Sequence, residues 1–326
     1  MSAPKHPFPR FPQFKNKWTG DLAWAIGSPS LIRTKENHSP SGSINQQNPQ
    51  LLDDSHFTQY FQDSLDWFLL LDSNPQQINH WMDQAKDRRL GSLYEHLIAF
   101  WLHHGPSPFK VIRKSLQVID NNHTLGEFDF ILQSLIDLSF RNIEVAVKFY
   151  IGTEPMQSMD DFVGPRVIDR LGRKWRHLVH RQCQLHLEPQ AKSLLLKITG
   201  SQTVLSSIWI KGRLFIPWTD FLRIPSNENF YINLDAHYEG LVGGWWMSQS
   251  EFLKNHNPSS AVILRKLDYF GPLTCDTASS LQNLISVNLK KIIQQNGPLP
   301  VALINSDTIE ISRGWIVPEN WPLSSD

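Results

Sequence analysis

The chain has 326 residues, 40% of them hydrophobic, which is enough for one large domain or two modest ones that each bury a core. Lysine plus arginine and aspartate plus glutamate both number 31, so the global charge excludes an overall basic nucleic-acid binder and any polyanion contact must come from a local patch. The two cysteines, Cys183 and Cys275, are too few for a disulfide framework and too far apart for a short metal-binding pair, which predicts a reducing, cytoplasmic setting.

Met1 to Lys17 mix Pro, Phe and Lys without a continuous apolar run, and no later stretch is long enough to span a bilayer, so neither an export signal nor a membrane partner is expected. Asp21 to Ile32 form a short amphipathic segment stopped by Gly27-Ser28-Pro29, followed by a polar loop over residues 34–50. From His56 to Leu71, apolar residues such as Phe57, Tyr60, Phe61, Leu65 and Phe68 recur at helical spacing up to Asn74-Pro75. A longer helix is expected from Gln77 to His103, with Trp81, Leu90, Tyr94, Leu97 and Trp101 on its stripe.

Strand-like stretches follow over Lys110 to Ile119, Leu125 to Leu132 and Ile143 to Ile151, then a basic helical stretch from Pro165 to Leu187 and a strand from Ser193 to Ile198. Beyond Gly200 the chain becomes Trp-rich. Ser207 to Trp218 reads as a strand pair, and Ala302 to Val317 as a terminal hairpin around Asn305-Ser306-Asp307. The pattern divides into an N-terminal helical region (1–76), a core (77–200) and a strand-containing C-terminal region (201–326).

Strand alternation in Leu125 to Leu132 puts Glu127 and Asp129 on one face, with Phe128, Phe130 and Leu132 on the other. In the next strand Ile143, Val145, Val147 and Phe149 form the apolar face, leaving Glu144, Ala146, Lys148 and Tyr150 together opposite. A hairpin turning near Asp137 to Ser139 brings Asp129 across from the Ala146 to Lys148 region, so carboxylates and an ammonium converge. Glu95, beside Gly91, Ile98 and Leu102 on its helix stripe, is a half-buried carboxylate that needs a partner.

The order helix, three strands, helix, strand, together with Gly126-Glu127-Phe128-Asp129 and Glu144-Val145-Ala146-Val147-Lys148, resembles the PD-(D/E)XK nuclease superfamily. The resemblance implies a mixed α/β fold with a nuclease-type core, an N-terminal helical region and a C-terminal α+β extension. It also implies Mg²⁺-dependent (or Mn²⁺-dependent) phosphodiester hydrolysis of DNA or RNA, with Asp129, Glu144 and Glu95 as metal ligands and Lys148 handling the attacking water. The whole chain also resembles a bacterial family of a domain of unknown function, through Asp21 to Pro29, Val145 to Tyr150, Val163-Gly164-Pro165 and Asp169-Arg170-Leu171.

One position departs from the nuclease pattern. Ala146 stands where an acid is expected two residues before Lys148, and the nearest acid, Glu144, lies about 6.6 Å further along the strand. Two readings stay open: Glu144 takes the role, or the fold persists without its metal. In the second case the basic stretch (Arg166, Arg170, Arg173, Lys174, Arg181, with Gln182) binds nucleic acid without cutting, unless it is simply a solvated face.

The series His177, His180, Cys183 and His186 does not share one helix face, so zinc is set aside. Trp245 and Trp246 read as core anchors before they read as a stacking platform; a C-terminal protein-interaction module is the remaining alternative.

Overall fold

A computed structural model describes residues 11–35, 49–200, 203–225 and 229–322. Most of the polar loop expected over 34–50 lies outside the described residues.

Helix α1 (Lys17–Gly27) starts where the Asn16 side chain accepts from the Thr19 N–H, four residues ahead of the expected Asp21, and it buries every residue from Thr19 to Ile26. After β1 (Ile32–Thr34) and β2 (Gln50–Leu51), α2 (Asp54–Ser73) begins under the Asp53 carboxylate, which accepts from the Ser55 and His56 N–H groups. The single helix expected over Gln77 to His103 is two, α3 (Gln76–Asp83) and α4 (Leu90–His104). Lys86 to Arg89 offer no apolar side chain to the buried stripe, and Asp87 closes a turn by accepting from the Arg89 N–H and the Ser92 hydroxyl.

Strands β3 (Phe109–Asp120), β4 (His123–Ser134) and β5 (Phe140–Gly152) form the expected antiparallel meander. Following β6 (Phe162–Val163), the basic stretch is not one helix from Pro165. Residues 165–170 are loop, with Val167 at φ 64°, and helix begins only at α5 (Leu171–His177). The helix then widens into a π turn over Leu178–Gln182, closed by the Cys183 N–H on the Leu178 carbonyl at 2.9 Å. Arg166 and Arg170 therefore precede α5, and Arg181 and Gln182 lie in the π turn.

The strand expected over Ser193–Ile198 is instead helix α6 (Pro189–Thr199), with Pro189 in its first turn and Gly200 at φ 69° just past its end. Strand β7 (Val204–Pro217) comes next, one long strand where a pair was expected, and it is buried on both faces along nearly all its length. Helix α7 (Trp218–Phe221), β8 (Tyr231–Asn233), β9 (Tyr238–Ser248), α8 (Gln249–Asn255), β10 (Ala261–Ile263), α9 (Cys275–Ser280) and α10 (Leu289–Asn296) lead to the terminal hairpin. That hairpin is β11 (Leu299–Ile304) and β12 (Glu310–Val317), turned by Asn305, whose side chain accepts from the Asp307 and Ile309 N–H groups.

The described residues form a mixed sheet of 12 strands and 10 α-helices, with the main path β10-β11-β12-β9-β7-β5-β4-β3. Strand β7 lies parallel to β5 on one side and to β9 on the other, so one sheet runs through both the middle and C-terminal thirds. Helices α1, α2 and α4 cover one face with an aromatic core that includes Trp24, Phe57, Trp101 and Trp209. Trp245 is fully buried with its indole N–H on Ser312, and Trp246 packs on Trp321, so both act as core residues. No described helix is long and apolar enough to cross a membrane.

Candidate functional site

The β4–β5 ladder runs from Gln133↔Phe140 to Phe130↔Ile143 and stops there, whereas β4 stays paired to β3 and β5 to β7 along their lengths. The sheet forks at that point. In place of the next ladder bond, the Asp129 carboxylate accepts the Val145 N–H at 2.8 Å. The turn is centred before Asp137, so Asp129 comes beside Glu144 and Val145, earlier on β5 than the expected Ala146 to Lys148 region.

The expected single face for Phe128, Phe130 and Leu132 is also broken. Phe130 and Leu132 pack under the N-terminal helices, but Phe128 packs with Leu185, Ala191 and Leu195 on the other side. Opposite Asp129, Ser115 sits at φ 52° between the pairs Lys114↔Phe130 and Leu116↔Phe128, a local departure from extended backbone at the same level of the ribbon.

Four of the sequence candidates come within electrostatic reach at the fork. Glu144 is completely buried; its Oε2 accepts from Gln182 Nε2 at 3.3 Å, and its Oε1 has no hydrogen-bond partner. Burial pushes the Glu144 carboxyl well above the usual carboxylate range, and Asp129 adds to the push. Burial also raises Asp129 to about 6, against the opposing pull of the Val145 N–H. On α4, burial and then Asp129 raise Glu95 to about 7. Lys148 moves the other way: burial and then Lys174 lower its ammonium, while Asp169, Glu95 and Asp129 resist.

The neighbours of these groups come from both flanks. Asn142 lies close enough to lower the Glu144 carboxyl, yet no hydrogen bond of good geometry joins them, and its amide is buried without a partner. Tyr150 donates its hydroxyl to Asp169, which also pairs with Arg173 and Lys174. Of the basic candidates, Arg170 is spent partly on the Asp160 carbonyl, whereas Arg166 and Arg181 make no ion pair among the described residues. Sequence reasoning missed Lys114, an exposed lysine on β3 that opposes the upward shifts of Glu95 and Asp129. An isolated lysine on a solvent-facing strand carries no signal until register sets it beside the acids.

The donor chemistry suits a hard divalent cation. Asp129 and Glu144 offer oxygen ligands, and Glu144 Oε1 is a buried oxygen lacking a partner. Among the described residues, no three or more His, Cys, Asp or Glu side chains are grouped so as to hold a metal unaided. In the set-aside series, Cys183 is buried and His186 Nδ1 bonds its carbonyl at 2.7 Å.

A family model described as "Domain of unknown function (DUF1853)" matches residues 20–317. No curated protein and no solved structure matches the chain.

Proposed function

We propose that this chain, which belongs to the DUF1853 family, is a divalent-metal-dependent phosphodiesterase acting on nucleic acid through a PD-(D/E)XK-like site. The observation that carries this reading is the fork between β4 and β5, where Asp129 and Glu144 stand side by side with Glu95 and Lys148 in electrostatic reach. The element order supports it: α4, the β3–β4–β5 meander, helices, then β7 parallel to β5. Register also eases the objection from Ala146. Asp129 bonds the N–H of Val145, the residue after Glu144, so an acid two positions early on the strand is still carried beside it.

Asp129 and Glu144 would hold Mg²⁺ or Mn²⁺, which when bound polarises a phosphate and lowers the pKa of water. Lys148 would orient the attacking water and offset the negative charge that grows on the phosphate as the new O–P bond forms and the leaving oxygen departs to take a proton from solvent. Gln182 holds Glu144 in place through its amide.

The test is calorimetric binding of Mn²⁺ and Mg²⁺ to wild type and Asp129→Asn, with cleavage of single- and double-stranded DNA and RNA followed in the same samples. The reading expects metal binding and cleavage in wild type, with cleavage reduced by at least ~10²-fold in the variant. Metal-free, non-cleaving wild type that still binds nucleic acid would instead establish the binding-only reading.

A further inference from the structure

The basic loop and helix before the π turn line only one side of the fork, and their charge is partly spent: Arg173 and Lys174 share Asp169, and Arg176 pairs with Asp160 at 3.0 Å. Three carboxylates on their own repel a phosphate backbone, so a polyanion crossing the fork needs cations on both rims.

The far rim has them. Lys114 projects from edge strand β3 at the register position of Phe130, next to Asp129, with its Nζ 5.9 Å from the Phe130 ring. Lys114 is an exposed residue, and burial lowers its ammonium while Glu95 and Asp129 resist. Arg88 is exposed just ahead of α4, the helix that carries Glu95. Arg89 beside it is tied to Asp87 at 2.6 Å, whereas neither Arg88 nor Lys114 makes an ion pair among the described residues. Helix α4 packs against β3, so the two cations are carried by, or lie just ahead of, elements in direct contact.

We propose that Lys114 and Arg88 form a second basic wall, and that a nucleic-acid backbone crosses the carboxylate fork between this wall and the one built by Arg170, Arg173 and Lys174. The inference rests on the phosphodiesterase reading for its substrate class and adds to it the path of the strand and two contact residues.

The experiment measures binding of a fluorescein-labelled DNA duplex to the full chain in EDTA across a salt series, for wild type and Arg88→Ser/Lys114→Ser. Each phosphate contact contributes about 0.9 to the slope of log K against log salt, so the double variant is expected to lose about 1.8 from that slope while retaining the wild-type melting profile. An unchanged slope overturns the second wall. That result stands apart from failure of the wider reading, which appears as wild type that binds the duplex but never cuts it when Mg²⁺ is added. Wild type that does not bind the duplex at all overturns both.

Discussion

At the scale of single residues, the fork concentrates carboxyl groups whose protons the fold retains. Glu95 is raised to about 7, Asp129 to about 6 and Glu144 well above its usual range, in each case first by burial. A folded-state acid with a raised pKa binds more protons than the unfolded chain between the two values, so its contribution to stability is full at low pH and lost as pH rises through the folded pKa. The window runs from the ordinary carboxylate range, about 4.5, upward through about 7. Wild type without metal should therefore lose stability from pH 5 to pH 8 relative to Glu144→Gln. At pH 8 the variant should be the more stable by about 1–2 kcal/mol, since wild type must there either bury the Glu144 charge or hold a proton that the unfolded chain gives up. Urea melts of both proteins at the two pH values check this, and parallel pH trends would sink it. Added Mg²⁺ should reverse the loss in wild type alone, because it binds the ionised form.

At the scale of elements, Lys148 owes its position to a glycine on the neighbouring strand. Gly212 pairs with Lys148 in the parallel β5–β7 register and lies at φ 147°, where a Cβ would fall 1.7 Å from the Lys148 carbonyl oxygen. Backbone cannot swing aside as a side-chain tip can, so Gly212→Ala should destabilise the chain by at least ~3 kcal/mol and displace Lys148. Thermal denaturation, with Gly126→Ala as the comparison, reads the effect. Gly126 faces only the flexible end of Leu185, and its substitution should cost less.

The same strands mark how far the sequence could be read. Alternation in Leu125 to Leu132 and Ile143 to Ile151 located β4 and β5 and set Glu144 and Lys148 apart from the apolar face, because one side of each strand is buried and the other supplies polar groups. Ser193 to Ile198 misled because a short apolar run suits a strand or a helix equally, and the deciding signals were the flanking Pro189 and Gly200. The fork itself left no local trace. Ser115 leaves the extended backbone in one strand, Asp129 bonds to another, and only tertiary register brings Lys114 and Gln182 to the acids.

At the scale of the whole molecule, one sheet continues across the division expected at residue 200. Strand β7 begins at Val204 and has β5 on one side and β9 on the other. Its Trp209 packs on Phe57, Tyr60 and Trp101, with ring centroids 5.1, 5.9 and 5.9 Å away, so the N-terminal helices find part of their core beyond the division. Charge crosses it as well: fully buried Lys211 donates to the Ser28 carbonyl and sits over Phe57, and buried Arg213 donates to the Tyr269 and Phe270 carbonyls while lying 4.8 Å from the Trp24 ring. A fragment ending at residue 200 would expose the β7 edge of β5 and leave the Trp101 and Phe57 layer open to water. It should therefore show no cooperative thermal transition and little near-ultraviolet circular dichroism, whereas the full chain shows both in a single step. If the fragment melts cooperatively with a near-ultraviolet signal of its own, the fork is carried by an independent unit and the continuous sheet is an appendage to it. If it does not, the carboxylates and Lys148 are held in place by strands that follow them in the chain, and deletions in the C-terminal third should abolish metal binding at the fork without touching any of its side chains.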